Sequence, residues 1–274
     1  MKRLKNMLKE HSALWILPLC LSVLPAYGQK DSNGAIRYLN DKGWDISLHA
    51  GYNIGGCVPL PMPDEIKSIN GYNPRLNMCI GADFTKTISN KWGMKLSIRF
   101  ESKGMEANVT VENYHTLLSR NGDLVEGYFT GKESTNTEHT LITMPIGLQF
   151  QINKILSVHA GTYISYALKT DFSGKATEGY IRTLGTDPIT GNLAPIGNRI
   201  DITPNNPATY DFSDKMRHWG WGIEIGLDCQ CFKHLMVFAN IDWGLNDIFR
   251  SSFDSTISFP MYPIYATIGF GYSF

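Results

Sequence analysis

The chain has 274 residues, with 25 basic and 25 acidic side chains and a formal net charge of zero. A nucleic-acid partner is usually met by an excess of basic residues, so this balance argues against one. Five cysteines are too few to build a fold of this size on disulfide bonds.

Residues 1–28 have the features of an export signal. A basic start precedes an apolar run over 13–24, and Ala26-Tyr27-Gly28 predicts cleavage before Gln29. The apolar run is too short for a transmembrane helix, which needs about 20 residues. We therefore predict a signal peptide over 1–28, a short periplasmic segment over 29–43 and one domain over 44–274. Cleavage would leave 21 basic and 24 acidic residues.

Eight segments of the predicted domain alternate strictly between apolar and polar residues. Such period-two alternation predicts strands that have one apolar face. The segments are 44–54, 76–84, 92–101, 142–150, 156–168, 219–228, 235–245 and 262–274.

The connections between these segments alternate between long and short without exception. They run over 55–73, 86–91, 104–137, 152–155, 170–216, 230–234 and 247–261. Outer-membrane barrels have short periplasmic turns and long external loops, whereas a soluble Greek-key sandwich has no reason to sort its loops in this way.

Aromatic residues lie at both ends of the apolar faces, and aliphatic residues lie between them. This arrangement is typical of side chains at headgroup level on either side of a hydrocarbon layer. One predicted rim has Trp44, Phe84, Trp92, Phe150, Tyr272 and Phe274. The opposite rim has Tyr52, Phe100, Tyr166, Trp219, Trp221, Trp243 and Tyr262.

The opposite parity of the strands has many charged residues and glycines. An eight-stranded barrel is just wide enough for side chains to fill it, so we predict a plugged lumen. The fold class is therefore all-β: an antiparallel, up-and-down transmembrane β-barrel of eight strands. A ten-stranded barrel with an extra hairpin from 104–137 is the alternative. We expect one bulge at Pro145 and another after Gly104, where the apolar parity switches.

Several motifs resemble the PorT-like outer-membrane β-barrel proteins of Bacteroidetes, over roughly residues 43–274. They are Met144-Pro145-Ile146, Gly161-x-Tyr163, Trp221-Gly222-Ile223-Glu224-Ile225-Gly226 and the terminal Gly269-Phe270-Gly271-Tyr272-Ser273-Phe274. The resemblance implies a location in the bacterial outer membrane, among its lipids. The terminal aromatic resembles the signal read by the barrel-assembly machinery, which the resemblance implies as a partner.

The sequence predicts no catalytic, cofactor-binding or metal-binding residues. His49 and His159 point inward by parity, and we interpret them as hydrogen-bonded lumen residues. Cys229 and Cys231 share one parity beside a turn, and we interpret them as isolated thiols. The segment 187–192 is a turn without the spacing of a calcium loop.

These observations favour a non-enzymatic barrel that presents the loops 104–137 and 170–216 to a surface protein or an extracellular ligand. One alternative is a lipid-modifying enzyme, for which His218 and Ser213 are the only candidate pair. The other alternative is a narrow transport channel.

Overall fold

The computed structural model describes residues 39, 41–120, 122–189, 192–250 and 259–274, and the predicted signal peptide lies outside them. No helix in this part of the chain is long and apolar enough to cross a membrane. A short 3-10 helix covers Ser213–Lys215. The strands are β1 (Trp44–Pro59), β2 (Ile66–Pro74), β3 (Met78–Thr87), β4 (Trp92–Arg120), β5 (Asp123–Gln151), β6 (Leu156–Thr183), β7 (Gly185–Thr186), β8 (Leu193–Ala194), β9 (Arg199–Ile202), β10 (Ala208–Asp211), β11 (Trp219–Gln230), β12 (Leu235–Gly244) and β13 (Met261–Ser273).

Eight of these strands form a closed antiparallel ring. In order around the ring they are β1, β3, β4, β5, β6, β11, β12 and β13, and β13 pairs back with β1. The prediction of an eight-stranded barrel is confirmed. The ten-stranded alternative is wrong, because the hairpin within 104–137 lengthens β4 and β5 and adds no strand to the ring.

The apolar face of each ring strand points outward, as predicted. Ile80, Leu148 and Ile225 are between 46% and 60% exposed on the outer wall. The aromatic residues meet at both rims of that wall. Trp92 contacts Phe150 with ring centroids 4.9 Å apart at one rim, and Tyr166 contacts Trp219 at the same distance at the other. The outer wall therefore has two aromatic rims around an aliphatic band.

At the end of the barrel with the long connections, β4, β5 and β6 continue well beyond the ring. Each is 28 or 29 residues long, whereas a tilted strand crosses a bilayer with about 9–11 residues. Three short strands extend this sheet: β2 pairs with β4, and β9 and β10 pair with β6. We call this part of the molecule the cap. The predicted loops 104–137 and 170–216 are therefore largely strands.

The cap encloses an apolar core, which explains the parity switch after Gly104. Val111, Leu118 and Phe129 are at most 1% exposed inside it, whereas most of the buried inward residues of the ring are polar. No bulge lies at the parity switch itself, because β4 and β5 stay in register from Phe100 to Val111. The register shifts only further along β4, between Val111 and Tyr114. The apolar residues change parity because the surroundings change from lipid outside the ring to protein inside the cap.

The predicted bulge at Pro145 is wrong. The register of β5 is the same before and after this residue on both neighbouring strands. The β4–β5 ladder instead lacks partners at Ser97 and Ile98, which lie opposite Pro145 and Met144. Proline has no N–H to donate, so the barrel accommodates it by a gap in one ladder and keeps its register.

Two facing glycines let β5 and β6 approach closely. A Cβ added to Gly161 would collide with the backbone of Ile146 and Gly147 on β5. We expect Gly161→Ala to lower the free energy of unfolding by about 1–3 kcal/mol, the usual cost of overpacking. The measurement is urea unfolding of the protein in lipid vesicles, followed by tryptophan fluorescence.

Gly71→Ala on β2 is the matched control for this prediction. A Cβ there would meet only the Asn108 side chain, 3.3 Å away, so a change within about 0.5 kcal/mol is expected. Equal destabilisation by the two alanines would contradict the packing argument.

Candidate functional site

The half of the lumen nearest the short turns contains a buried charge cluster centred on Lys95. Its ammonium group lies 2.9 Å from Asp228 and 3.3 Å from Asp83. Two histidines extend the cluster. His159 Nδ1 lies 3.0 Å from the Asp228 carboxylate, and His49 Nδ1 lies 3.3 Å from Asp83. The prediction that both histidines point into the lumen is confirmed. The prediction that both are hydrogen-bonded holds for His159 only, because neither ring nitrogen of His49 has a hydrogen-bond partner among the described residues.

A second cluster lies nearer the cap and is centred on Arg99. The guanidinium group donates two hydrogen bonds to Glu224, at 2.5 and 3.0 Å, and its side chain is 1% exposed. Such a bidentate pair is the strongest geometry for an arginine and a carboxylate. Lys103 bridges Asp242 and Glu101 at 2.8 and 2.9 Å.

These two clusters fill the middle of the barrel. Within its described residues, five buried acids face Lys95, Arg99, Lys103 and the two histidines. A polar cavity of about 370 Å³ opens at the end with the short turns and ends at Asp83, Lys95 and Asp228. The apolar core of the cap covers the opposite end. The lumen is thus occupied by side chains along most of its length.

Glu133 is the exception to the apolar character of the cap interior. Its side chain points inward from β5 and is 8% exposed, and its Oε2 atom has no hydrogen-bond partner among the described residues. Burial raises the pKa of Glu133 to about 7. The pKa of Tyr210 and that of Tyr114 are also raised, by burial first and then by the charge of Glu133.

The outer surface of the cap has an open groove of about 740 Å³. The tip of the β4–β5 hairpin and strand β10 line it together with residues from β5 and β6. Its apolar lining residues are Leu117, Leu124, Tyr210 and Phe212, and its charged ones are Arg75, Glu106, Lys175 and Asp211. This groove was not predictable from the sequence, because its walls come from separate segments that extend from Arg75 to Phe212.

The structure does not bring His218 and Ser213 together as a catalytic pair. His218 Nδ1 lies 3.0 Å from the carbonyl oxygen of Ala167. The Ser213 hydroxyl donates to Asp211 at 2.6 Å and accepts from the N–H of Phe172 at 3.0 Å. Both side chains are engaged in holding the backbone, so the arrangement offers no nucleophile with an adjacent base.

The described cysteines lie in two places, in the interior of the molecule and at a short turn. Cys57 and Cys79 are buried as free thiols, and Cys57 Sγ lies 3.9 Å from His139 Nε2. Cys229 Sγ and Cys231 Sγ are 4.0 Å apart at the β11–β12 turn, closer than isolated thiols would be. In the described parts of the chain no three His, Cys, Asp or Glu residues are grouped for a metal ion.

The sequence matches the family described as "Outer membrane protein beta-barrel domain" over residues 27–250. The chain belongs to this family. It is therefore a protein of the bacterial outer membrane, and its closed ring is a membrane-spanning barrel. Such barrels have short periplasmic turns and long external loops. In this chain the cap lies at the end with the long connections, and the 370 Å³ cavity opens at the end with the short turns.

Solved structures of outer-membrane proteins show distant likeness. They include the attachment invasion locus protein Ail of Yersinia pestis in complex with the heparin analogue sucrose octasulfate (12% identity, 84% of this chain and 97% of that chain, TM-score 0.36). OprG of Pseudomonas aeruginosa has 13% identity over 85% and 97% of the two chains, with a TM-score of 0.33. CarO2 of Acinetobacter baumannii has 12% identity over 84% and 98%, with a TM-score of 0.38. No protein of curated function matches this sequence.

Proposed function

We propose that this protein is a closed, non-enzymatic barrel that uses its external cap to bind a partner at the cell surface. The observation that supports this most strongly is the division of the molecule. The lumen is plugged by buried ion pairs, whereas the cap is a separately cored sheet with an open groove. A protein that only conducted solutes would not need a cap with its own core.

The groove favours a protein partner over an enclosed small molecule. It is open, and it combines aromatic and aliphatic residues with charges of both signs, as protein interfaces do. Leu124, which is 71% exposed, supplies apolar contact area, while Arg75, Lys175 and Asp211 supply charges for orientation. A soluble extracellular ligand is the alternative occupant.

Site-specific photocrosslinking on intact cells tests the proposed partner binding. A photoreactive amino acid at Leu124 or Lys175, both exposed at the groove, is expected to give a discrete crosslinked product. The same residue at Lys233, exposed in a periplasmic turn, is the control and should not give that product. Identical products at all three positions, or none at the groove, would contradict the proposal.

The plugged lumen leads to a prediction about conductance. Because side chains fill the barrel between the two clusters, we expect the purified protein to give no single-channel conductance steps in a planar bilayer. A 16-stranded porin, which has an aqueous channel, is the positive control in the same bilayer. Reproducible conductance steps would favour the alternative function of a narrow transport channel.

The lipid-modifying alternative has weaker support, because Ser213 and His218 are each bonded to other groups. Unaltered lipid A in a His218→Ala strain is the expected result.

We also propose that the chain is a PorT-like protein of Bacteroidetes, and that its C-terminal strand is read by the barrel-assembly machinery. The supporting features are the aromatic Phe274 and the glycine-rich strand that precedes it.

A further inference from the structure

Two arginines from distant parts of the sequence lie side by side on the external rim of the barrel. An isolated antiparallel bridge joins Met216 to Phe249, and both of these side chains are buried. The N–H of Arg217 donates to the carbonyl of Ile248 at 2.7 Å, and the N–H of Arg250 donates to that of Lys215 at 3.0 Å. This pairing places Arg217 and Arg250 diagonally on one face, where side chains are about 7 Å apart.

Each guanidinium group is held by the opposite segment. Arg217 Nε donates to the carbonyl of Phe249, and Arg250 Nε donates to that of Met216 at 3.1 Å. Both side chains are exposed. Among the described residues their terminal Nη groups make no hydrogen bond or ion pair with protein. Two fixed guanidinium edges therefore face outward with their remaining donors available.

The two nearby acids of the described residues bind other groups. Asp214 lies in the same segment, but its carboxylate is 2.7 Å from the ammonium group of Lys215. That hydrogen bond is the main reason why the pKa of Asp214 is lowered, and Arg250 contributes less. Asp247 accepts from the N–H groups of Phe249 and Met261. Among the described residues, neither carboxylate forms an ion pair with Arg217 or Arg250.

The position of the pair relative to the membrane identifies what it faces. Arg217 lies two residues before Trp219, the first residue of β11, and therefore at most about 7 Å beyond that strand. Its side chain is exposed, whereas that of the preceding Met216 is buried. Trp219 is 62% exposed and belongs to the external aromatic rim, where rings lie at headgroup level. The pair thus lies just above that rim, on the outer wall and facing the lipid.

We propose that Arg217 and Arg250 form a clamp for a phosphate group of lipid A in the outer leaflet. Guanidinium groups bind phosphate bidentately, and two of them held on one face match a single tetrahedral anion better than flexible lysines would. The clamp lies on the lipid-facing wall, away from the groove of the cap. A lipid phosphate therefore fits the location better than a soluble anion does.

The test compares lipid A binding by the folded, detergent-solubilised protein and by the double variant Arg217→Gln/Arg250→Gln. Native mass spectrometry measures the affinity for phosphorylated lipid A and for enzymatically dephosphorylated lipid A. We expect the wild type to prefer the phosphorylated form by at least about tenfold, since hydrogen bonds to charged groups are among the stronger ones. The double variant should lose this preference.

A second double variant, Lys132→Gln/Arg199→Gln, removes the same charge from exposed positions on the cap and should retain the preference. Arg217→Lys/Arg250→Lys keeps the charge and should fall between the wild type and the glutamine variant. Heat-dependent migration on a gel verifies folding of every variant. The clamp is overturned if the wild type has no preference, if the lysine variant equals the wild type, or if inorganic phosphate binds as tightly as lipid A.

Discussion

Replacement of Arg99 by methionine is expected to lower the free energy of unfolding of the barrel by about 3–5 kcal/mol. Arg99 is buried between Glu224, which it binds bidentately, and Asp242, 4.0 Å away. Its removal leaves Glu224 in the lumen without its main partner, and a buried charge without compensation is costly. Urea unfolding in lipid vesicles at neutral pH measures the change.

The control is Lys132→Met, which breaks an exposed ion pair of similar length. Lys132 and Glu178 are 2.9 Å apart on the cap, and both side chains are about 60% exposed. Exposed ion pairs contribute little to stability, so the free energy of unfolding is expected to fall by less than about 1 kcal/mol. Equal losses in the two variants would refute the view that burial makes the Arg99 pair important.

A double variant separates the pair from its surroundings. Arg99→Met/Glu224→Leu removes both charges, and well-packed apolar residues often replace a buried pair without loss. We expect it to be more stable than Arg99→Met alone. A double variant less stable than the single one would indicate that Asp242 and His159, which also contact the pair, depend on Glu224 for their arrangement.

The ring of eight strands was predictable from the sequence because lipid outside and polar side chains inside impose a period-two pattern on every strand. The inward direction of His49, Lys95 and Arg99 follows from that parity alone. The ion-pair partners of these residues do not follow from the parity. Arg99 and Glu224 are 125 residues apart, and only the strand register brings them together.

The cap was not predictable by the same rule. Beyond residue 104 the interior becomes apolar, so the alternation inverts and resembles a bulge or a loop when read from one strand. The 28-residue β6 also continues through two polar residues, Lys169 and Thr170, at which a membrane strand would have been expected to end. The segment that includes β9 and β10 is too short and irregular in pattern to be recognised without its pairing to β6.

The Arg217–Arg250 clamp shows a further limit of sequence analysis. Neither arginine belongs to a local motif, and 33 positions separate them along the chain. Their proximity depends on the bridge between Met216 and Phe249 below them. Sites of this kind arise from tertiary pairing, so counting charged residues along the sequence does not detect them.

The second large effect is expected at Glu133, where glutamine should stabilise the cap at neutral and alkaline pH. Burial raises the pKa of this carboxyl from about 4.5 to about 7 in the folded protein, so the folded state holds its proton more tightly than the unfolded state. The wild type therefore loses stability as the pH rises from about 4.5 to 7, and the loss is then constant. A shift of this size corresponds to about 3 kcal/mol.

Amide hydrogen exchange of the cap portions of β5 and β6 between pH 4 and pH 8 tests this prediction, with rates corrected for intrinsic pH dependence. The difference in opening free energy between Glu133→Gln and the wild type should grow across the range by about 3 kcal/mol. Glu178→Gln is the control, because Glu178 is exposed on the neighbouring strand and pairs with Lys132. A difference for Glu133→Gln that does not change with pH would mean that the carboxyl is hydrated in solution, and that the cap opens to water more readily than its buried core implies.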